Sequence, residues 1–384
     1  MVPVPGEKIN QMKSEPVRIE AIEVYQSVIK LKEPFIISLG LLTHAENIVV
    51  IIRTNKEITG FGECSPFMTI NGESMESAFV VARFLAKSLL GRNPMEIPEL
   101  SGVMDKAIYG NTSIKSAFDI ALHDIAAQQA EMPLYAWLGG KNNKTLITDY
   151  TVSLGNKEKM VSDALKIKAA GFQVIKVKLG DSAENDIERI RMIREAIGKE
   201  IPLRLDANQG WNAESAATVL KELYPYNIQS CEEPIPRWDF MQLRCLSEQS
   251  PIPVMADESC LDHHDAQRLI GLSACKFFNV KLGKSSGIYK AMKIIRLAEE
   301  AGITLQVGGF LESRLGFTAS AHLALVSENI QFCDFDTPLM FEEDPVTGGI
   351  VYSKTGEVTV PETPGLGASI SNDFLKKMVG VTIS

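Results

Sequence analysis

The stretch "VIKVKLG" (residues 174–180) places two lysines, one residue apart, in an otherwise apolar run. Val174, Ile175, Val177 and Leu179 are strand formers, and the two-residue period of a strand sends Lys176 and Lys178 to one face. Two ammonium groups side by side repel, and burying either without a partner is unfavourable. Either this face is solvated or something nearby requires two cations.

Similar runs recur along the chain, each followed by a helical stretch: "LITDYTVSL", "IPLRLDAN", "IQSCEEP", "IPVMADES", "FFNVKLG", "TLQVGG" and "QFCDFDTP". With Lys176, Asp206, Glu232, Asp257, Lys281, Gly308 and Asp334 as markers, the steps are 30, 26, 25, 24, 27 and 26 residues. A strand, a helix and two short loops need about that length, so the segment is a βα repeat. Eight strands with seven helical segments between them predict an α/β fold, a modified TIM barrel of the (β/α)7β kind, over 141–345. An open doubly wound sheet fits less well, because no Gly-rich dinucleotide turn follows any strand and the repeat stays even.

The preceding part has another texture. "RIEAIEVYQSVIKL" and "NIVVIIRT" read as strands, and "TNKEITGFGE" turns into a third. "SMESAFVVARFLAKSLLG" and "NTSIKSAFDIALHDIAAQQAEMPLYAWLGG" then carry helical periodicity. Strands followed by helices predict a separate α+β domain over 18–140, after a loose tail over 1–17. The segment 346–384 reads as a short hairpin plus a loop that returns to the first domain.

Composition excludes several classes. The chain has 384 residues, 23% of them charged, a net charge of −9 and no basic block, which argues against nucleic acid as a partner. No apolar run is long enough to span a membrane, and the N-terminus lacks the apolar core of a signal peptide. Six scattered cysteines without a CxxC pair suit reduced thiols in the cytoplasm.

In a barrel of this type the C-terminal strand ends form the active site. Asp206, Glu232 and Asp257 close three consecutive strands, and three carboxylates converging near the axis suit a hard divalent ion, Mg²⁺. Alternation points Glu233 and Glu258 away from the axis, so Glu258 is read as support, together with Asn208, which shares a face with Asp206. Lys176 and Lys178 on the second strand lie opposite Lys281 on the sixth. A neutral lysine is a competent base, and Lys178 and Lys281 on opposite sides of one carbon would remove and deliver a proton, inverting it. The metal would hold a substrate carboxylate and stabilise the enediolate left by proton removal, with Lys176 adding positive charge.

The ordered set "KVK", "DAN", "EEP", "ADES" and "NVKL", with "GFGECSPF" and "SAFDIALHDIAAQQAEMPLYAWLGG" before it, resembles the enolase superfamily, muconate-lactonising subgroup. The resemblance covers nearly the whole chain. It implies a capping domain closed over the barrel, Mg²⁺ on Asp206, Glu232 and Asp257, acid/base roles for Lys178 and Lys281, and Lys176 as an electrostatic helper. Multimers are common in the family, so a homo-oligomer is compatible with it, although no interface is legible in the sequence.

That subgroup includes several chemistries. The "DFD" on strand eight puts Asp334 and Asp336 on one face, a receptor for a cation. It resembles the dipeptide epimerases, in which such a pair holds the substrate's free α-ammonium, as does the stretch "GGFLESRLGF" beginning at Gly308. Muconates and succinyl substrates carry no ammonium. The alternative within the subgroup is an N-acylamino acid racemase, such as one acting on N-succinyl amino acids, or an o-succinylbenzoate synthase. Selectivity for the second residue is expected from the loop "EPFIISLGLLTHAEN" (33–47). Epimerases of this kind that handle glutamate carry an arginine in it. Gly40 stands there in this chain, which favours a small or apolar second residue, unless Arg237 or Arg314 serves instead.

Overall fold

The computed structural model describes residues 15–384, so most of the tail expected over 1–17 lies outside the described residues. Eight strands form one parallel sheet: Tyr150–Val152, Ile175–Lys178, Leu203–Asp206, Ile228–Glu232, Val254–Ala256, Phe277–Lys281, Thr304–Gly308 and Ile330–Cys333. The sheet curls until its edges meet through one bridge between Thr148 and Cys333, with Asp149 N–H donating to Cys333 O at 3.3 Å. Every residue of the second and third strands is buried, as expected where one face lines the barrel and the other meets helices.

Side-chain caps start most of the barrel helices, an exception being Ile288–Ala301, which begins at Gly287. Asn156, Ser182, Asn212, Asp239, Asp262 and Ser313 are N-caps of barrel helices, and each side chain accepts a backbone N–H of the first turn.

The first part of the chain forms an antiparallel sheet in which Ile19–Ile37 pairs with Gly40–Thr54, and the latter with Thr59–Cys64. The last strand, Val379–Ile383, adds to the outer edge of Ile19–Ile37. Within Gly40–Thr54, residues 47–52 are buried on both faces. Ile48, Val50 and Ile52 pack with the helices Met75–Leu89 and Thr112–Gln129, while Val49 and Ile51 belong to a core continuous with the barrel. Gly62 lets Thr59–Cys64 lie against the helix Thr112–Gln129: a Cβ there would stand 1.9 Å from Ala117 O.

Two sequence expectations are corrected. The stretch 33–47 is not a loop. Phe35, Ile36 and Ile37 pair with Leu42, Leu41 and Gly40, so the sheet extends as a ribbon over the barrel mouth, turning at Gly40 with φ +146°. The run "LITDYTVSL" is not one strand either. Leu146–Ile147 leaves the barrel to pair with Glu357–Thr359 of the C-terminal hairpin, and only Tyr150–Val152 joins the parallel sheet. Among the described residues no helix is long and apolar enough to cross a membrane.

Candidate active site

Strand register sets the site. Thr151, Lys176 and Arg204 stand side by side, and one step higher Lys178, Asp206 and Glu232 do the same. Glu232 pairs with Met255, so Asp257, two residues on, points inward one level above. Lys281 stands beside Gly308 on the far side.

The side chains form one network. Lys176 Nζ lies 3.0 Å from Asp206 Oδ2, 2.8 Å from Glu232 Oε2 and 2.8 Å from Asp334 Oδ2. Lys178 donates to Asp206 Oδ2 at 2.6 Å and to Asn208 Oδ1 at 3.1 Å. On the opposite side Lys281 donates to Asp257 Oδ2 at 2.8 Å and lies 3.8 Å from Glu232 Oε1. The lysines are thus neither solvated nor unpaired. They alternate with carboxylates around the barrel mouth, which answers the puzzle of two buried like charges on one strand face.

Electrostatics follow from this alternation. Burial pushes Asp206 and Asp257 up, but lysine charge outweighs it and holds both below the usual carboxylate range. Lys176 and Lys281 are likewise raised: burial opposes their charge, and the surrounding carboxylates overcome it. Glu232 is pushed up, by burial and by the charge of Asp206.

The other expected positions take distinct places. Asn208 Nδ2 donates to Glu258 Oε1 at 3.2 Å, and Glu258 Oε2 is buried without a hydrogen-bond partner among the described residues. Glu233 accepts the backbone N–H of Asp257 at 2.7 Å and of Ser259 at 3.1 Å. Asp336 Oδ2 accepts the Thr151 N–H at 2.6 Å; burial and then the charge of Asp334 push its carboxyl up to about 7. Gly308 lies against Asn279 and Asp334, while Gly309, Phe310 and Leu311 line the cavity. Arg314 is committed to Asp344 and to the carbonyls of Val346, Gly348 and Ile350, and Arg237 to Ile70 O.

Several polar residues at the site escaped the sequence reading. Asn279 and Gln306 donate to Glu232 at 2.8 and 3.2 Å. Counting back by two from Lys281 and from Gly308 finds both. Lys284, fully buried, bonds Asp257 Oδ1 and donates to Asn279 O at 2.8 Å. Asp149 pairs with Arg204 at 2.9 Å, and oxygens of Asp149, Asp334 and Asp336 lie within 4.8 Å of one another.

The space enclosed is small, about 50 Å³, and its wall is apolar on the ribbon side: Phe35, Ile37, Leu42, Phe67 and Ile70. Lys178, Lys281, Asp334 and Asp336 form its polar floor.

Residues 19–139 match the mandelate racemase / muconate lactonizing enzyme N-terminal domain, and 159–374 match the enolase C-terminal domain-like family. The chain belongs to the enolase superfamily. Within this superfamily it is 58% identical over 366 residues to the D-Ala-D/L-Ala epimerase of Cytophaga hutchinsonii, covering 95% of this chain and 100% of that one. It is 37% identical to the hydrophobic dipeptide epimerase of Enterococcus faecalis, over 92% of this chain and 99% of that one. A solved dipeptide epimerase from C. hutchinsonii, complexed with Mg and the dipeptide D-Ala-L-Val, superposes with a TM-score of 0.95 at 57% identity. It covers 96% of this chain and 100% of that one.

Proposed function

We propose that this chain is a Mg²⁺-dependent dipeptide epimerase that inverts the α-carbon of the second residue. The observation that carries the reading is the flanking of three carboxylates by two lysines: Lys178 on Asp206, Lys281 on Asp257, and Glu232 between them. The relatives' activities on dipeptides support it.

The residues fit the ion. Asp206, Glu232 and Asp257 offer only oxygen, as a hard divalent cation prefers. A ligand carboxylate must be ionised, and Asp206 and Asp257 are held that way despite burial. The cluster of Asp149, Asp334 and Asp336 suits a metal less well. Asp149 is engaged by Arg204, and burial pushes two of these acids, Asp149 and Asp336, up toward their neutral forms, against Glu232 alone in the first set. Mg²⁺ on Asp206, Glu232 and Asp257 would supply positive charge to the substrate's carboxylate and to the charge that develops there when the α-proton leaves.

The chain's own groups do the rest. Lys178 and Lys281 exchange the α-proton from opposite faces. The acids that raise Lys281 also govern its basicity, since neutralising them lowers its pKa toward a working range. Lys176 adds fixed charge from the second strand. Asp334 and Asp336 receive the substrate's ammonium. The apolar wall and small volume favour a small or apolar second residue over glutamate, and Arg237 and Arg314 are committed elsewhere. The α+β domain and its ribbon exclude water from this chemistry.

The test is an exchange screen in D₂O. Purified protein with Mg²⁺ is given L-Ala-L-Xaa dipeptides and N-succinyl amino acids, and deuterium uptake is read by mass. Uptake into dipeptides with small or apolar second residues is expected. Uptake only into the succinyl compounds would overturn the reading in favour of an N-acylamino acid racemase.

A further inference from the structure

A cavity of about 320 Å³ lies beside the catalytic pocket, with apolar walls from Phe35, Tyr150, Ile167, Phe172 and Met340. It shares Phe35 and Thr151 with the catalytic pocket, which at about 50 Å³ is far smaller. Thr151 is the residue whose N–H binds Asp336, so the two spaces meet at the end proposed for the substrate's ammonium. The first side chain of a dipeptide leaves the backbone at that end.

The rim decides what chemistry the cavity suits. Lys159 donates to Glu33 at 3.1 Å and to Asp163 at 2.6 Å, Lys166 donates to Asp163 at 3.0 Å, and Lys32 donates to Leu339 O at 2.8 Å. Each rim charge already has a partner. A charged ligand would have to break those pairs, whereas a neutral apolar group needs only to displace water from the aromatic and aliphatic walls.

Phe35 and Thr151 line both spaces, and Phe35 stands on a tethered backbone. Ile36 N–H donates to Ser153 Oγ at 2.7 Å, and Leu154 N–H donates to Ile36 O at 2.9 Å. The ribbon is thereby fastened to the end of the first barrel strand, and Phe35, half-buried beside that fastening, contributes to both walls.

We propose that this cavity is a subsite for an apolar side chain on the first residue of the dipeptide, and that Phe35 limits how far such a side chain reaches into it. The inference rests on the dipeptide reading and extends it to the other end of the substrate. With Phe35 in place small first residues are preferred. A smaller residue there joins the two spaces and admits leucine or phenylalanine.

The experiment compares kcat/KM for L-Phe-L-Ala, L-Leu-L-Ala and L-Ala-L-Ala in wild type, Phe35→Ala, and Phe35→Ala combined with Ala170→Phe. Ala170 lines the cavity from the helix side, so the second change refills it. Filling an apolar pocket is worth about tenfold or more in discrimination. Phe35→Ala should therefore raise the ratio of L-Phe-L-Ala to L-Ala-L-Ala by about tenfold, and the double variant should return it toward wild type. An unchanged ratio in a Phe35→Ala protein that still turns over dipeptides overturns the inference alone. A ratio that stays high in the double variant overturns the assignment to this cavity. Exchange confined to N-succinyl amino acids overturns the dipeptide reading and this inference with it.

Discussion

Lys176 donates to Asp334 at 2.8 Å across the barrel interior, tying the second strand to the end of the eighth. The same ammonium lies within 3.0 Å of Asp206 and Glu232. Removing one member of a buried ion cluster leaves the others uncompensated, at about 3–5 kcal/mol. Lys176→Met should therefore lower the metal-free unfolding free energy by about 3 kcal/mol or more, read by urea denaturation. A loss below about 1 kcal/mol would mean that these pairs contribute no more than a surface bridge.

Lys178 and Lys281 occupy opposite sides of the carboxylates, and in the proposed mechanism neither replaces the other. Lys178→Ala and Lys281→Ala should each reduce inversion by at least about a hundredfold. In D₂O each variant should exchange the α-proton only of the enantiomer that faces the remaining lysine. Inversion at the wild-type rate in either variant would sink the two-base mechanism.

Ion binding has a readout apart from turnover. Mg²⁺ at about a hundred times its Kd should add about 2.7 kcal/mol of stability. Glu232→Gln and Asp257→Asn should abolish most of that thermal shift, and chelation should remove activity from the wild type. A full shift in both variants would point to other ligands, with Asp149, Asp334 and Asp336 the next to test.

The pH profile tests the amino-end receptor. Asp336 is pushed up to about 7, first by burial and then by the charge of Asp334. Its protonated form offers no charge to an ammonium. kcat/KM reports the free enzyme, so for a dipeptide it should fall as pH drops through about 7. Asp336→Asn should lower the high-pH plateau and remove that inflection; persistence of the inflection would assign it to another group.

Glu312, in the loop after the seventh barrel strand, gives a stability prediction with a definite sign. Its Oε2 accepts the Phe310 N–H at 2.6 Å, and burial pushes its carboxyl up to about 7. A raised folded value means that its contribution is complete below the unfolded value of about 4.3 and is lost as pH rises through about 7. Glu312→Gln keeps an acceptor but cannot ionise. Its Tm advantage over wild type should grow between pH 5 and pH 8, at about 1 °C per kcal/mol for a chain of 384 residues. An advantage independent of pH would rule out the titration.

Much of the architecture was legible because its signals are local. A two-residue period places Lys176 and Lys178, then Asp334 and Asp336, on shared faces. An even βα spacing requires successive strands to lie side by side, so side chains at their C-terminal ends gather at one mouth. That is why the sequence alone locates Asp206, Glu232, Asp257 and Lys281 at the strand ends.

Other features depend on distant partners. The ribbon of Phe35–Leu42 reads as a loop because Pro34, Gly40 and a polar tail break its pattern. It is ordered by pairing within itself and by Ser153, 117 residues from Ile36. Leu146–Ile147 has strand character, but its partner is Glu357–Thr359, and nothing near it in the chain indicates that choice.

The sequence by itself determined which residues stand at the strand ends and in what order, since alternation and repeat length are properties of neighbours along the chain. Only the tertiary structure decided which ammonium meets which carboxylate, that Asp149 and Lys284 join the cluster, and that Phe35 lines two cavities at once. The reason is physical. Coulomb energy and packing depend on distances across the barrel and between domains, and those are set by closure of the sheet and docking of the ribbon rather than by any local period.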